Sequence, residues 1–208
     1  MAKRSTYHHG DLRTALVTTA LEVIAEQGIG ALSVAEVARR AGVSSAAPYR
    51  HFSSRKALLI ACAVTAARRL TDELLQTQRD LVGNGDQPDP VEVTAASAAA
   101  YTRFAAQYGS GFDLIFAGEL QDAGDQDLLA AGREVMDAFL PFVLAVTSGD
   151  ARSALQLLER QISAAHGYAT LMRSGFYSRR QATTDDVAAH AAEIARSLAR
   201  DAAKSARS

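Results

Sequence analysis

The fold is decided by the stretch VARRAGVSSAAPYRHFSSRKALL, residues 37–59. A single glycine, Gly42, separates a run of helix-forming residues from a second run that contains Pro48. Glycine permits the left-handed backbone of a tight turn. Proline is tolerated near the start of a helix, where its missing N–H costs little. The stretch therefore predicts two short helices joined by a glycine turn, the second over about residues 44–52.

The start of the first short helix is also marked in the sequence. Ser33 and Glu36 have the S-x-x-E spacing of a capping box, in which the serine oxygen accepts the amide of the fourth residue. Two short helices joined by a turn that contains glycine form a helix-turn-helix. We place this motif at residues 33–52.

The remainder of the chain has the pattern of an all-α protein. Alanine is abundant, proline is rare, and the β-branched alternation of strands is absent. The glycine- and proline-rich segment 83–90 predicts a loop, and Pro141 predicts a kink or a break. Besides the motif, helices are expected over about residues 11–27, 54–82, 91–108, 112–121, 125–146, 150–174 and 184–204.

Composition restricts the classes of protein that the chain can belong to. The 208 residues are 48% hydrophobic and 22% charged, which is ordinary for a globular protein. We find neither a signal peptide nor an apolar run of the roughly 18 residues that a transmembrane helix needs. Cys62 is the single cysteine, so an intrachain disulfide is excluded and a cytoplasmic location is expected.

Charge is unevenly distributed along a chain whose net charge is −1. Residues 1–56 hold eight Lys and Arg against four Asp and Glu, whereas residues 57–208 hold fourteen against nineteen. A basic segment on an acidic body suggests that only the basic segment meets a polyanion. Chance clustering in a short segment explains the same numbers, and charge alone does not decide between the two.

The residue types of the motif fit DNA binding. The second helix of such a motif enters a major groove. Arg50 is the only long donor on that helix, which makes it the best candidate for a bidentate contact with a base. Tyr49, His51 and Lys56 flank it as phosphate donors, and Ser33 offers a hydroxyl at a helix N-terminus. The alternative is an ordinary helix hairpin with a solvated basic face.

The complete stretch resembles the TetR family of transcriptional regulators. The resemblance rests on the Gly42-Val43-Ser44 turn, Tyr49-x-His51-Phe52, Lys56 and Leu58-Leu59, preceded by a first helix and Ser33. It implies an N-terminal DNA-binding domain over residues 1–56 and a helical effector-binding and dimerisation domain over residues 57–208.

The resemblance also implies roles on DNA. Matching residues usually touch phosphates at the positions of Ser33, Tyr49, His51 and Lys56, and face bases at those of Ser45, Ala46, Ala47 and Arg50. Ser44, in the turn, completes the expected DNA-binding set. The two alanines offer only methyl groups, which suit thymine methyls.

Further stretches are similar to a TetR subgroup whose C-terminal domain is named for a Trp-His-Gly tripeptide. They are YHHGDLR, APYRHF, YTRFAAQYGSGFDLIF and AHGYATL, at residues 7–13, 47–52, 101–116 and 165–171. Ala165 stands where the tryptophan of that subgroup would be.

The aromatic residues of the body are concentrated in a few segments. They either fill a core or line a pocket, and the resemblance favours a pocket for a mostly apolar effector. The residues expected to line it are Tyr101, Phe104, Tyr108, Phe112, Phe116, Phe139, Phe142 and His166.

Two apolar stripes at helical spacing lie on the last two long helices, and two-fold dimers are the commonest oligomers. The stripes predict a homodimer; packing within one chain is the alternative. The residues expected at the interface are Leu155, Leu158, Ile162, Ala169, Val187, Ala191, Ile194 and Leu198.

The sequence therefore predicts a homodimeric DNA-binding regulator of a palindromic operator, a repressor relieved by a small molecule. An all-helical enzyme is the first rival, but the chain has neither the Glu-x-x-His pairs of di-metal helical sites nor a glycine-rich phosphate loop. No metal or cofactor is expected. The second rival is a DNA-binding regulator without small-molecule control.

Overall fold

The structure, a computed structural model, describes residues 9–81 and 88–206. These residues form nine α-helices, with four short 3-10 turns between them and no strand, so the all-α prediction is confirmed. Most of the predicted loop 83–90, and the first two residues of the motif at residues 7–13, lie outside the described residues. The helices are α1 (His9–Gln27), α2 (Val34–Arg40), α3 (Arg55–Leu81), α4 (Pro90–Tyr108), α5 (Ser110–Asp113), α6 (Gly118–Gln121), α7 (Gln126–Val146), α8 (Ala151–Arg173) and α9 (Thr184–Ser205).

The chain divides into two compact units whose boundary is not at residue 56, where the sequence suggested it. The first unit holds residues 1–66 and also 110–130, and the second holds residues 67–109 and 131–208. The segment 110–130 joins the first unit because α5 packs on α1. Contact is close there, since a Cβ on Gly111 would lie 3.3 Å from a methyl of Leu21. Sequence periodicity gives no sign of this return.

The first half of the motif forms as predicted. Ser33 caps α2, and its hydroxyl accepts the Glu36 amide at 3.1 Å. Gly42 has φ +69° and ends the helix. The next amide, that of Val43, returns to the Ala38 carbonyl at 3.0 Å, while Gly42 donates to Arg39 at 3.3 Å. This is the paired hydrogen bonding of a Schellman cap.

The second half of the motif corrects the sequence prediction. Instead of an α-helix over residues 44–52, the structure has a turn followed by a 3-10 turn at Pro48–Arg50. Pro48 has no N–H to donate to the Ser44 carbonyl, which accepts the Ala47 amide at 3.0 Å instead. The backbone dihedrals at Ala47 and His51 are still right-handed helical. The segment is therefore a short helical piece held mainly by the tighter three-residue bonds.

Two further helix predictions need correction. The helix expected over residues 112–121 is broken into α5, a 3-10 turn and α6, because Ala117 adopts an extended backbone. The Gln121 side chain donates to the Ile115 carbonyl at 2.6 Å and so satisfies a group near the break. Of the kink or break predicted at Pro141, the break does not occur, because α7 continues through the proline to Val146.

The second unit is built around α4, which packs against both α8 and α9. The carboxylate of Glu92, near the start of α4, accepts hydrogen bonds from two guanidinium nitrogens of Arg196 at 2.9 and 3.0 Å. Near the other end, Arg103 donates to Asp185 at 2.6 Å. Since Arg196 follows Asp185 along α9, the two helices run antiparallel. The pairs lie at the rim, and the apolar seam between the helices supplies most of the stabilisation.

We predict opposite effects for Gly42→Ala and Gly132→Ala. A Cβ at either glycine would meet open space, so packing contributes little to either change. At Gly42, with φ +69°, alanine should lower the free energy of unfolding by roughly 1–2 kcal/mol. Inside α7, Gly132→Ala should raise it by about 0.5–1 kcal/mol. Urea unfolding measures both, and a stabilised Gly42→Ala variant would contradict the turn geometry.

Candidate nucleic-acid interface and ligand site

Most of the predicted DNA-contacting residues lie at the surface. Tyr49 is 58% exposed although it is large and aromatic. Its neighbour Pro48 is buried, and so is Phe52. The Arg13 guanidinium lies over the Phe52 ring, 5.1 Å from the ring centre. The short helical piece is thus anchored by two apolar side chains. Ser33, Ser44, Ser45, Ala46, Tyr49, Arg50 and Lys56 are exposed, and Ala47 and His51 are half-buried.

A carboxylate neutralises part of the basic cluster. Glu36 accepts two hydrogen bonds from Arg39, at 2.8 and 2.9 Å, and one from Arg40 at 2.8 Å. Arg40 also donates to Glu26 of α1 at 2.6 Å. The hydrogen bonds from Arg39 and then Arg40 lower the pKa of Glu36 from 4.5 to about 2. These two arginines therefore tie α2 to itself and to α1.

Arg55 has a structural task. Its guanidinium donates to the carbonyls of Ile29 and Leu32, at 2.6 and 2.7 Å. These carbonyls belong to the 3-10 turn that leads into α2. One side chain at the start of α3 thereby fixes the approach to Ser33.

Arg50 and Lys56 differ from the other three basic residues of the stretch 37–59. Their side chains are exposed and form no hydrogen bond or ion pair with another described residue. Arg50 lies on the 3-10 turn, and Lys56 lies in the first turn of α3. An unpaired guanidinium or ammonium can bind an anion without first breaking an existing ion pair. The stretch 37–59 holds five Lys and Arg residues, and among the described residues Arg50 and Lys56 are the two of these that have no hydrogen-bond or ion-pair partner.

The predicted pocket residues form several clusters. Within the second unit, the Tyr101 hydroxyl lies 3.3 Å from Nδ1 of His166, and its ring centre lies 6.4 Å from that of Phe139. Phe104 stacks on Tyr108 with centres 4.2 Å apart. Tyr101, Phe104, Phe112 and Phe139 are buried, Tyr108, Phe142 and His166 are half-buried, and Phe116 is 52% exposed.

Phe112 and Phe116 pair with each other within the first unit, their ring centres 5.4 Å apart. The other six pocket candidates belong to the second unit. Six of the eight predicted pocket residues thus belong to one unit and two to the other.

The predicted interface residues separate into two groups. Leu158, Ala169, Val187 and Ala191 are buried in the chain's own core, because that side of α8 and α9 packs within the second unit. Leu155 and Ile194 are 53% and 40% exposed, and Ile162 and Leu198 are half-buried. Only the second group has apolar surface to offer another chain.

Other kinds of site find little support in the described residues. They contain no group of three His, Cys, Asp or Glu side chains placed to hold a metal ion. None of their helices is both long and apolar enough for a bilayer. Cys62 is buried, and burial raises the pKa of its thiol to about 12, which keeps it protonated and unreactive.

A helix-turn-helix whose exposed side carries an unpaired arginine and an unpaired lysine defines a class, the DNA-binding proteins. Two family models match the chain: bacterial regulatory proteins of the tetR family over residues 16–62, and the tetracyclin repressor-like C-terminal domain over residues 94–198. The chain belongs to the TetR family of DNA-binding transcription regulators.

Individual relatives agree with this assignment. The HTH-type transcriptional regulator BetI of Rhizobium meliloti (strain 1021) is 40% identical over 67 residues, which are 32% of this chain and only 33% of that regulator. A Rhodococcus sp. RHA1 protein of unknown function is 28% identical, with a TM-score of 0.77 over 93% of this chain and 98% of that one. A tetR-family regulatory protein from Rhodococcus RHA1, 19% identical, has a TM-score of 0.64 over 89% and 95%, and shares the fold.

Sequence reasoning missed two features of the site. Glu36, Arg39 and Arg40 have the three- and four-residue spacing of helix ion pairs, and that spacing could have identified the pairing. The role of Arg55 had no local signal, since its partners lie 23 and 26 residues away in sequence.

Neighbouring substitutions should separate structure from binding. Arg55→Ala removes two charge-assisted hydrogen bonds to backbone and should lower the free energy of unfolding by about 1–2 kcal/mol. Lys56→Ala removes an exposed side chain without a partner and should change it by less than about 0.5 kcal/mol. Chemical denaturation measures both. Equal effects would contradict the distinct roles given to these two residues.

Proposed function

We propose that this chain is a dimeric repressor that binds a palindromic DNA operator through residues 33–56 and releases it when a small molecule binds the second unit. The observation that carries the proposal is the pair of unbonded cations, Arg50 and Lys56, on an exposed helix-turn-helix. We propose a cytoplasmic location, because a transcription regulator acts where its DNA is.

Arg50 is assigned to base reading. The exposed residues before it in the short helical piece, Ser45 and Ala46, can offer a hydroxyl and a methyl. A guanidinium can make the bidentate contact with guanine that carries most specificity in major-groove readout. Lys56, outside that piece, is assigned to a phosphate, as are Ser33 and Tyr49.

The two assignments predict different losses. Arg50→Ala should weaken binding to the operator by roughly 1–3 kcal/mol and leave binding to random DNA nearly unchanged. Lys56→Ala should weaken binding to both and lower the salt slope of log K by about one unit. Fluorescence anisotropy at several salt concentrations measures all four quantities. Equal losses for Arg50→Ala on operator and random DNA would reassign it to the phosphates.

A second copy of the chain is proposed to cover the outer face of α8 and α9. A groove of about 530 Å³ runs between these helices, with Leu157 and Leu198 in its lining. Arg160 and Asp201 also line it. Opposite charges on one face allow self-complementary pairing, since under two-fold symmetry a contact of Arg160 with Asp201 of the other subunit would occur twice. Asp201 meets Lys204 of its own helix only at 3.5 Å.

The exposed apolar residues differ in their position relative to this groove. Ile194 lies four residues before Leu198 and seven before Asp201, so all three share one face of α9. On α8, Leu155 precedes Arg160 by five residues, which places it about 140° around the helix from the groove. We therefore assign Ile194 to the interface and Leu155 to a different face.

Substitution of these two leucine-sized side chains by glutamate tests the interface. Ile194→Glu places a carboxylate in the proposed seam and should give monomers that lose operator binding. Leu155→Glu adds the same charge on α8 outside the groove and should leave the dimer intact. Light scattering at micromolar concentration reports both. Monomers from Leu155→Glu and dimers from Ile194→Glu would place the interface on the other face.

Ligand control is proposed from the polar and aromatic interior of the second unit, where Tyr101, Phe139 and His166 meet. The helix α3 is the proposed transmitting element, because it is continuous from the exposed Lys56 to Leu81. Membership of the Trp-His-Gly subgroup is also a proposal. Ala165, in the position of the tryptophan, is buried and its carbonyl lies 3.4 Å from the Thr102 hydroxyl.

A further inference from the structure

The interior of the second unit contains polar side chains that have no part in the proposed DNA-binding surface or dimer interface. Among the described residues, the buried polar side chains are Thr71, Gln78, Thr94, Ser97, Thr102, Thr147 and Gln161, all in this unit and none charged. The threonines at 71, 102 and 147 donate to carbonyls of their own helices. Gln78 donates to the Ala138 carbonyl at 2.8 Å.

Two polar atoms of this group, on neighbouring helices, have no hydrogen-bond partner. They are the Thr94 hydroxyl on α4 and the Gln161 side-chain carbonyl on α8. The Gln161 amide nitrogen donates to the Thr94 backbone carbonyl at 2.9 Å, which fixes the orientation of the amide. Turning the amide over would lose that bond and set two carbonyl oxygens against each other. The packing therefore leaves the Gln161 side-chain oxygen without a donor in the orientation of the amide that keeps the hydrogen bond to Thr94.

Leaving such groups unpaired is costly. A buried polar atom without a partner destabilises a fold because its hydrogen bond to water is lost and not replaced. Thr94 is 2% exposed and Gln161 is 1% exposed, so bulk water does not reach them. Something that brings a hydrogen-bond donor must satisfy the Gln161 oxygen, since a carbonyl oxygen can only accept.

The surroundings define what could bring that donor. Thr94, Ser97 and Tyr101 share one face of α4, since they lie three and seven residues apart. Along this face the polar pair gives way to the aromatic group formed by Tyr101 and Phe139. The buried polar side chains of this unit carry no charge, so an ionic group bound beside Thr94 and Gln161 would lack a buried counter-ion; the half-buried His166 lies toward the other end, against Tyr101.

We propose that Thr94 and Gln161 form the hydrogen-bonding end of a small-molecule site between α4 and α8. The site takes an uncharged molecule with an O–H or N–H donor, such as an alcohol or an amide, and an apolar body directed toward Tyr101. In calling this ligand the effector, the inference rests on the ligand control proposed above. Binding at the site does not depend on that control.

Two isosteric substitutions on α4 test whether the Thr94 hydroxyl is unpaired. Thr94→Val removes a hydroxyl without a partner, so the thermal midpoint of the unliganded protein should stay the same or rise. Thr102→Val, equally buried, removes a hydroxyl that donates at 2.8 Å, so the midpoint should fall. A fall with Thr94→Val as large as that with Thr102→Val would overturn the proposal.

Binding is tested on the full-length protein with benzyl alcohol, toluene and benzoate as probes of similar size. The wild type should bind benzyl alcohol about tenfold more tightly than toluene, as one buried hydrogen bond predicts, and should bind benzoate least. Thr94→Val and Gln161→Met should each reduce the preference for benzyl alcohol, whereas Thr102→Val should keep it. Calorimetry measures the affinities.

Three results would overturn the site: no probe binds, benzoate binds most tightly, or a crystal structure grown with benzyl alcohol shows only a water between Thr94 and Gln161. A different result would separate this inference from ligand control. If benzyl alcohol binds as expected but operator affinity is unchanged, the site stands and its regulatory role falls. The predicted effects of Arg50→Ala and Ile194→Glu on DNA binding and assembly are independent of both.

Discussion

The DNA-binding unit depends on one interaction, the hold of the Arg55 guanidinium on the carbonyls of Ile29 and Leu32. The Ile29 carbonyl opens the 3-10 turn, where it also accepts the Leu32 amide at 3.3 Å, and the Leu32 carbonyl follows the end of that turn. By binding both, Arg55 joins the start of α3 to the residues just before α2. The exposed positions at the two helix starts, Ser33 and Lys56, are set by this contact. Arg55, which is not among the predicted DNA contacts, thus positions two residues that are.

Charge pairing refines the same surface. A stretch with five Lys and Arg residues appears strongly basic, yet Glu36 holds Arg39 and Arg40 in local ion pairs. The low pKa of Glu36 keeps this carboxylate ionised at any pH near neutrality. Within residues 37–59, the positive charge that no carboxylate offsets therefore belongs to Arg50, Arg55 and Lys56. Non-specific affinity should be modest, and specificity should depend on few contacts.

Much of this fold could be predicted from the sequence, and the failures have physical causes. The cap at Ser33, the turn at Gly42 and the long helices are local, so sequence patterns mark them. The 3-10 turn at Pro48 depends on which carbonyl receives the Ala47 amide, a choice that composition leaves open. The return of α5 to α1 depends on the close approach at Gly111, and long-range packing has no local signature.

The candidate sites, like the fold, could be predicted from the sequence only in part. The motif pointed to Tyr49, Arg50 and Lys56 as candidate DNA contacts, and the structure places all three at the surface. The polar pair of Thr94 and Gln161 could not be found in this way, because 67 residues separate its members and both look like ordinary helix residues. Only burial shows that their polar atoms lack partners. The two units thus differ in kind, with the buried polar side chains of the described residues all in the second.

Two copies of this chain are proposed to present their helix-turn-helix units to one duplex. Selection of bound sequences from random DNA with the full-length protein tests this arrangement. A palindrome should be enriched, with half-sites about one helical turn of 10–10.5 base pairs, or a multiple of it, apart. Enrichment of a single non-palindromic site, or of no sequence at all, would contradict it.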